Sequence, residues 1–100
     1  MSMNLNEIRE IASPLCRDFN VKRLDVFGSF ARNAVSSNSD VDLLVEFRDP
    51  EQHLSKRFFG LLHGLEDALG RSIDLITPNS LRNPYFKKRV LNEKVPVYEG

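Results

Sequence analysis

Asp40-Val41-Asp42-Leu43-Leu44-Val45-Glu46-Phe47 (residues 40–47) decides how this chain folds. Side chains alternate across a β-strand, so positions i and i+2 share a face. A strand over Val41 to Phe47 therefore turns Val41, Leu43, Val45 and Phe47 toward a core. Asp40 and Asp42 then point together to the opposite side. Two neighbouring carboxylates repel one another, and a bound divalent cation gives a physical reason to keep them. Mg²⁺ prefers oxygen ligands and commonly uses one or two carboxylates with substrate phosphates. Taken alone, Asp-x-Asp is a weak signal, because each aspartate also suits a turn or a solvated strand face.

Working outward, the same logic recurs at Ile73-Asp74-Leu75. Ile73 and Leu75 belong to a core face, and Asp74 points away from them. If this third strand lies beside the second, Asp74 joins Asp40 and Asp42. Three such carboxylates suit two metal ions about 3.5–4 Å apart, an arrangement that stabilises the attacking and leaving oxygens of an in-line phosphoryl displacement. Upstream, Leu24 to Phe27 reads as a short strand running into Gly28-Ser29, with a helix opening at Phe30 to Asn33. Glycine permits close backbone approach to a ligand, and a helix N-terminus offers free N–H groups to phosphate. Ser29 adds a hydroxyl, and Arg32 lies one turn further on. For an isolated Gly-Ser, an ordinary tight turn is the simpler reading.

The remaining elements alternate helix with strand. Leu5 to Phe19 carries apolar residues at helical spacing, with Asn4 and Glu7 as a capping box and Pro14 as a possible kink. Asp49-Pro50-Glu51 is a turn. Leu54 to Leu69 has the strongest apolar stripe in the chain, ended by Gly70. Ser72 to Thr77 is a strand, and Asn83-Pro84 opens a last helix reaching about Asn92. Val95 to Tyr98 reads as a short extended tail. The pattern implies a small mixed αβ (α+β) sheet domain spanning residues 1–100.

Composition limits the function classes. The chain has 100 residues, 14 basic and 14 acidic, for a net charge of zero. A protein gripping long nucleic acid usually shows a basic excess, so nucleic acid is disfavoured as a partner. A single cysteine, Cys16, allows no internal disulfide or cysteine metal cage. No apolar run reaches membrane-spanning length, and residues 1–10 lack a secretory pattern. A cytoplasmic location is the default expectation.

Read together, Gly28-Ser29-Phe30-Ala31-Arg32, Ser39-Asp40-Val41-Asp42-Leu43-Leu44-Val45 and Ile73-Asp74-Leu75 resemble the nucleotidyltransferase superfamily that includes DNA polymerase β. The ten residues between Gly28-Ser29 and Asp40 match its minimal branch. Val90 to Glu99, VLNEKVPVYE, is similar to the usual end of that branch. One departure is Asn33, where the family motif commonly has glycine; asparagine tolerates left-handed geometry better than most residues. The resemblance implies a nucleotidyltransferase fold, a small mixed sheet with helices packed on one face, with Asp40, Asp42 and Asp74 as catalytic metal ligands for two Mg²⁺ ions. It implies ATP as nucleotide donor, its triphosphate held by Gly28 and Ser29 and more weakly by Arg32. It also implies an antitoxin that transfers AMP to a tyrosine of a HEPN-type ribonuclease toxin, in a hetero-oligomer with that toxin.

Two other functions fit the same sequence. A binding module would neutralise its partner by covering it, without catalysis. A nucleotidyltransferase could instead act on a small molecule or RNA, although neutral charge weakens the RNA version. Lys87-Lys88-Arg89 and Lys56-Arg57 suit either an acidic partner or phosphate, or a solvated helix face. His53 and His63 read as surface residues and Cys16 as a buried small residue.

Overall fold

The computed structural model describes residues 4–28, 31 and 40–100. Helix α1 (Leu5–Asp18) is followed by strands β1 (Val21–Phe27) and β2 (Val41–Phe47). Helix α2 (Leu54–Leu69), strand β3 (Ile73–Ile76), a 3₁₀ turn (Pro78–Ser80), helix α3 (Pro84–Glu93) and strand β4 (Val95–Glu99) follow among the described residues. The sheet order is β3-β2-β1-β4. β1 runs antiparallel to β2 and β4, whereas β2 and β3 are parallel. Parallel neighbours need a long crossover, and α2 is that crossover.

Local chemistry accounts for the helix boundaries. The Asn4 side chain accepts from the Glu7 amide at 2.9 Å, capping α1. Pro14 sits inside α1 without ending it. It is exposed, so the carbonyl that its missing N–H leaves unpaired lies on the water side. Gly70 terminates α2 in the left-handed region, φ 64°, and its N–H donates to the Glu66 carbonyl. Asn83 accepts from the Tyr85 and Phe86 amides at 3.0 and 3.2 Å, with Pro84 at the first helical position of α3.

The main core lies between the sheet and the pair α1 and α2. Ile8, Ala12 and Cys16 form the fully buried stripe of α1, and Leu61 and Leu65 that of α2. They meet Leu24 and Val26 of β1, Val41, Leu43 and Val45 of β2, and Ile73 and Leu75 of β3. Small residues bring the two helices together. A Cβ on Gly60 would stand 2.5 Å from the Phe19 ring, and one on Gly64 would stand 3.1 Å from Leu15. No described helix is long and apolar enough to cross a membrane.

Three expectations are sharpened. Helices on one face describes α1 and α2, but α3 packs on the other side. There Val90 and Leu81 join Phe27, Leu44 and Ile76 in a second, smaller cluster. The cause is that the aspartate-bearing face of the sheet is itself apolar at Phe27 and Leu44, and that area needs cover. Val95 to Tyr98 is not a tail but most of edge strand β4, with Val97 buried. β4 carries Pro96, which a strand tolerates at an edge. β1 begins three residues earlier than the sequence suggests, at Val21.

Lys56-Arg57 also resolves. Arg57 holds five carbonyl oxygens: Phe19 through Nε, Asp49 and Gln52 through Nη1, and Asn20 and Arg48 through Nη2, all between 2.6 and 3.0 Å. Its guanidinium also lies 4.9 Å from the centre of the Phe47 ring. This arginine ties the end of α1 and the turn after β2 to the start of α2.

Candidate active site

The parallel pairing of β2 with β3 places Asp42 directly opposite Asp74. The flanking pairs, Val41 with Ile73 and Leu43 with Leu75, are buried on the opposite side. Alternation along both strands therefore turns the two carboxylates to one face, as the sequence pattern predicts. Asp42 is half-buried and Asp74 exposed. Asp40 is exposed and stands one residue ahead of β2.

Gly28 closes the site from β1. Phe27 pairs with Asp42, and the chain then turns at Gly28 with φ 72°. A Cβ at this position would lie 2.3 Å from Asp42 Oδ2. Glycine is thus required twice, for left-handed backbone and for close approach to the carboxylate. Ser29 and Arg32 lie outside the described residues, as does most of the helix expected from Phe30 to Asn33.

A cavity of about 300 Å³ opens above these groups. Gly28, Asp42 and Asp74 form its sheet side, and Phe86, Arg89 and Glu93 line it from α3. Phe86 packs edge-on against Phe27, with ring centres 6.3 Å apart. The sequence reading had no means of drawing Phe86 and Glu93 into the site. Their spacing of seven residues, with Arg89 and Val90 between, marks one helical face, but nothing local says what that face meets.

Among the described residues, no three His, Cys, Asp or Glu side chains gather into a ready-made metal cage. The sheet brings Asp42 and Asp74 together and does not draw Asp40 into a group with them. Two adjacent carboxylates on an open cavity still fit Mg²⁺, which is rarely enclosed by protein alone and takes further ligands from water and phosphate.

Asp25 lies on the same face of the sheet but has a different role. It is buried, at 2% exposure, and both carboxylate oxygens accept from Arg23 Nε at 3.0 Å. Lys94 Nζ approaches to 3.6 Å. The hydrogen bond from Arg23 to Asp25, then the carboxylate's charge, push the guanidinium pKa further above its ordinary value. Asp25 is therefore a structural anchor between β1 and the end of α3. A larger cavity of about 570 Å³ sits at the other end of β2, beside the turn at 47–50. Its acids, Glu46 and Asp49, sit among Lys22 and Arg48 as an ordinary mixed surface. The larger cavity is therefore not the one that the paired aspartates line.

Known proteins resemble this chain in sequence and fold. Residues 8–97 match the nucleotidyltransferase domain family. A Methanocaldococcus jannaschii protein named as a protein adenylyltransferase is 42% identical over 95 residues, covering 95% of this chain and 99% of that protein. The structure of a minimal nucleotidyltransferase superposes with a TM-score of 0.77 at 33% identity, covering 94% of this chain and 96% of the other. An antitoxin of the minimal type, solved with a tri-AMPylated HEPN toxin from Shewanella oneidensis, shares the fold. Its TM-score is 0.66 at 18% identity, covering 96% of this chain and 73% of that one. With the family match running from residue 8 to residue 97, this chain belongs to the nucleotidyltransferase domain family and is a nucleotidyltransferase.

Proposed function

We propose that the chain transfers AMP from ATP to a tyrosine hydroxyl of a HEPN ribonuclease toxin, and so acts as the antitoxin of that partner in the cytoplasm. The observation that carries the reading is the in-register pair Asp42 and Asp74 beneath Gly28, on a cavity open to solvent. The 42% identity to a protein adenylyltransferase supports the acceptor class, and the likeness to an antitoxin solved with an AMPylated HEPN toxin supports the partner.

In this reading Asp40, Asp42 and Asp74 would hold two Mg²⁺ ions, Asp40 from just ahead of β2. When bound, Mg²⁺ neutralises charge on the triphosphate and polarises the phosphorus under attack. Gly28 and Ser29 hold the phosphates through backbone and hydroxyl, with Arg32 contributing charge. The tyrosine oxygen attacks the α-phosphorus, an O–P bond forms, and pyrophosphate leaves. Asp74, the more exposed of the paired carboxylates, takes the hydroxyl proton. Catalysis is chiefly positioning and charge neutralisation, since phosphoryl transfer asks little covalent chemistry of a protein.

The test is the intact mass of the partner. The chain and the toxin encoded beside it are co-purified and incubated with Mg²⁺ and ATP. The expected result is a mass increase of whole AMP units on the toxin, lost with Asp42→Ala. Neutralisation of the toxin by Asp40→Ala/Asp42→Ala protein, with no mass change at any stage, would sink this reading and favour stoichiometric binding.

A further inference from the structure

The arginines of this fold differ in how they are held. Arg57 spends its whole guanidinium on five backbone carbonyls, and Arg23 is fixed on buried Asp25. Arg89 is different. It lines the cavity of Asp42 and Asp74, yet its side chain is 63% exposed. Its partner is Glu93, one turn on in α3, met through Nε at 3.3 Å. Among the described residues, no hydrogen bond holds either Nη. The pair joins an exposed Arg89 to a half-buried Glu93 one turn away, and the order arginine before glutamate is the weaker one along a helix. Leaving Glu93 therefore costs Arg89 little.

The charge around the cavity gives this arginine a use. Its described lining carries three acids, Asp42, Asp74 and Glu93, and Arg89 is the only cation among them. A nucleoside triphosphate is strongly anionic, and Arg89 offers it a cation on the cavity wall. Guanidinium presents a planar fork that matches two phosphate oxygens at once, and it stays charged at any working pH. Arg89 lines the cavity from α3, and Gly28 lines it from the end of β1.

We propose that Arg89 is a phosphate-binding residue of the nucleotide site, exchanging Glu93 for the β- and γ-phosphates of the incoming triphosphate. This rests on the nucleotidyltransferase reading and adds to it a contact from α3. Its purpose is to hold the pyrophosphate end while the α-phosphorus is attacked.

Calorimetric binding of AMP-PNP and of AMP to the intact chain in Mg²⁺ tests this without any reaction. Loss of a charged hydrogen bond predicts that Arg89→Ala weakens AMP-PNP by about 10- to 100-fold. AMP, which lacks the β- and γ-phosphates, should change by less than about three-fold, a shift of under about 0.7 kcal/mol. Arg89→Lys keeps the charge but not the fork, and should fall between wild type and Arg89→Ala. Equal affinity of wild type and Arg89→Ala for AMP-PNP would overturn the proposal and leave the catalytic reading standing. Equal weakening of AMP and AMP-PNP would also overturn it, by pointing to a structural role. Absence of AMP-PNP binding by the wild type would overturn both readings together.

Discussion

Replacing Gly28 by alanine perturbs the site more selectively than removing a carboxylate. The added methyl would stand 2.3 Å from Asp42 Oδ2, where ordinary contact begins at 3.4 Å. The carboxylate must therefore retreat by about an ångström, and a misplacement of about 1 Å at a reacting centre costs about 100-fold in rate. The backbone adds a second term. Gly28 has φ 72°, and a left-handed L-residue costs about 1–2 kcal/mol, or roughly 5–15 °C in Tm for a domain of this size. Gly70 separates the two terms. Its φ is 64°, and nothing lies within 4 Å of where its Cβ would be. Gly70→Ala should therefore lose similar stability and keep its activity. The assay is kcat/KM for transfer to the partner, with thermal unfolding of each variant alongside. If Gly28→Ala retained the activity of Gly70→Ala, the close approach of Gly28 to Asp42 would have no part in catalysis.

Three other perturbations probe the frame around the site. Arg57→Ala releases five carbonyls and a ring contact and should cost about 2–3 kcal/mol in urea unfolding. Arg57→Lys should recover less than half of that, since one ammonium cannot span the same acceptors. Asp25→Ala should cost about 1–3 kcal/mol, below the usual range for a broken buried pair, because Arg23 and Lys94 can turn toward water. Cys16 is fully buried, and burial pushes its thiol from 9.0 up to about 12. It should resist alkylation until the chain unfolds. The folded state holds that proton more tightly than the unfolded one. The resulting stability is intact below pH 9 and is lost as pH climbs toward 12, which unfolding curves across that window would show.

What the sequence reveals depends on how local the cause is. The alternation of Val41, Leu43 and Val45 against Asp42 is a property of one strand, and it translated directly into a core face and a site face. The stripe of α2 and its stop at Gly70 are equally local, and both boundaries are legible. The position of β3 beside β2 needed one assumption about pairing, and the placement of Asp74 directly opposite Asp42 came only with the structure. The poorly legible features are those set by distant partners. α3 buries only Val90 and leaves Tyr85, Phe86 and Leu91 exposed, so its own pattern does not announce that it covers the site face. β4 looks like a tail because its pairing is with β1, some seventy residues earlier. The carbonyls that Arg57 gathers lie up to 38 residues away in the chain. In β1, the charged residues Lys22, Arg23 and Asp25 hide a strand whose buried carboxylate is matched by cations on either side.

In the proposed function, Asp42 and Asp74 act as one metal site for the nucleotide. Mn²⁺ is a paramagnetic stand-in for Mg²⁺, and electron paramagnetic resonance in the presence of AMP-PNP counts the bound ions directly. Wild-type protein should bind Mn²⁺ saturably beyond what AMP-PNP alone holds, and Asp42→Asn and Asp74→Asn should each lose that excess while remaining folded. Folded variants that bind as much Mn²⁺ as the wild type would contradict the claim.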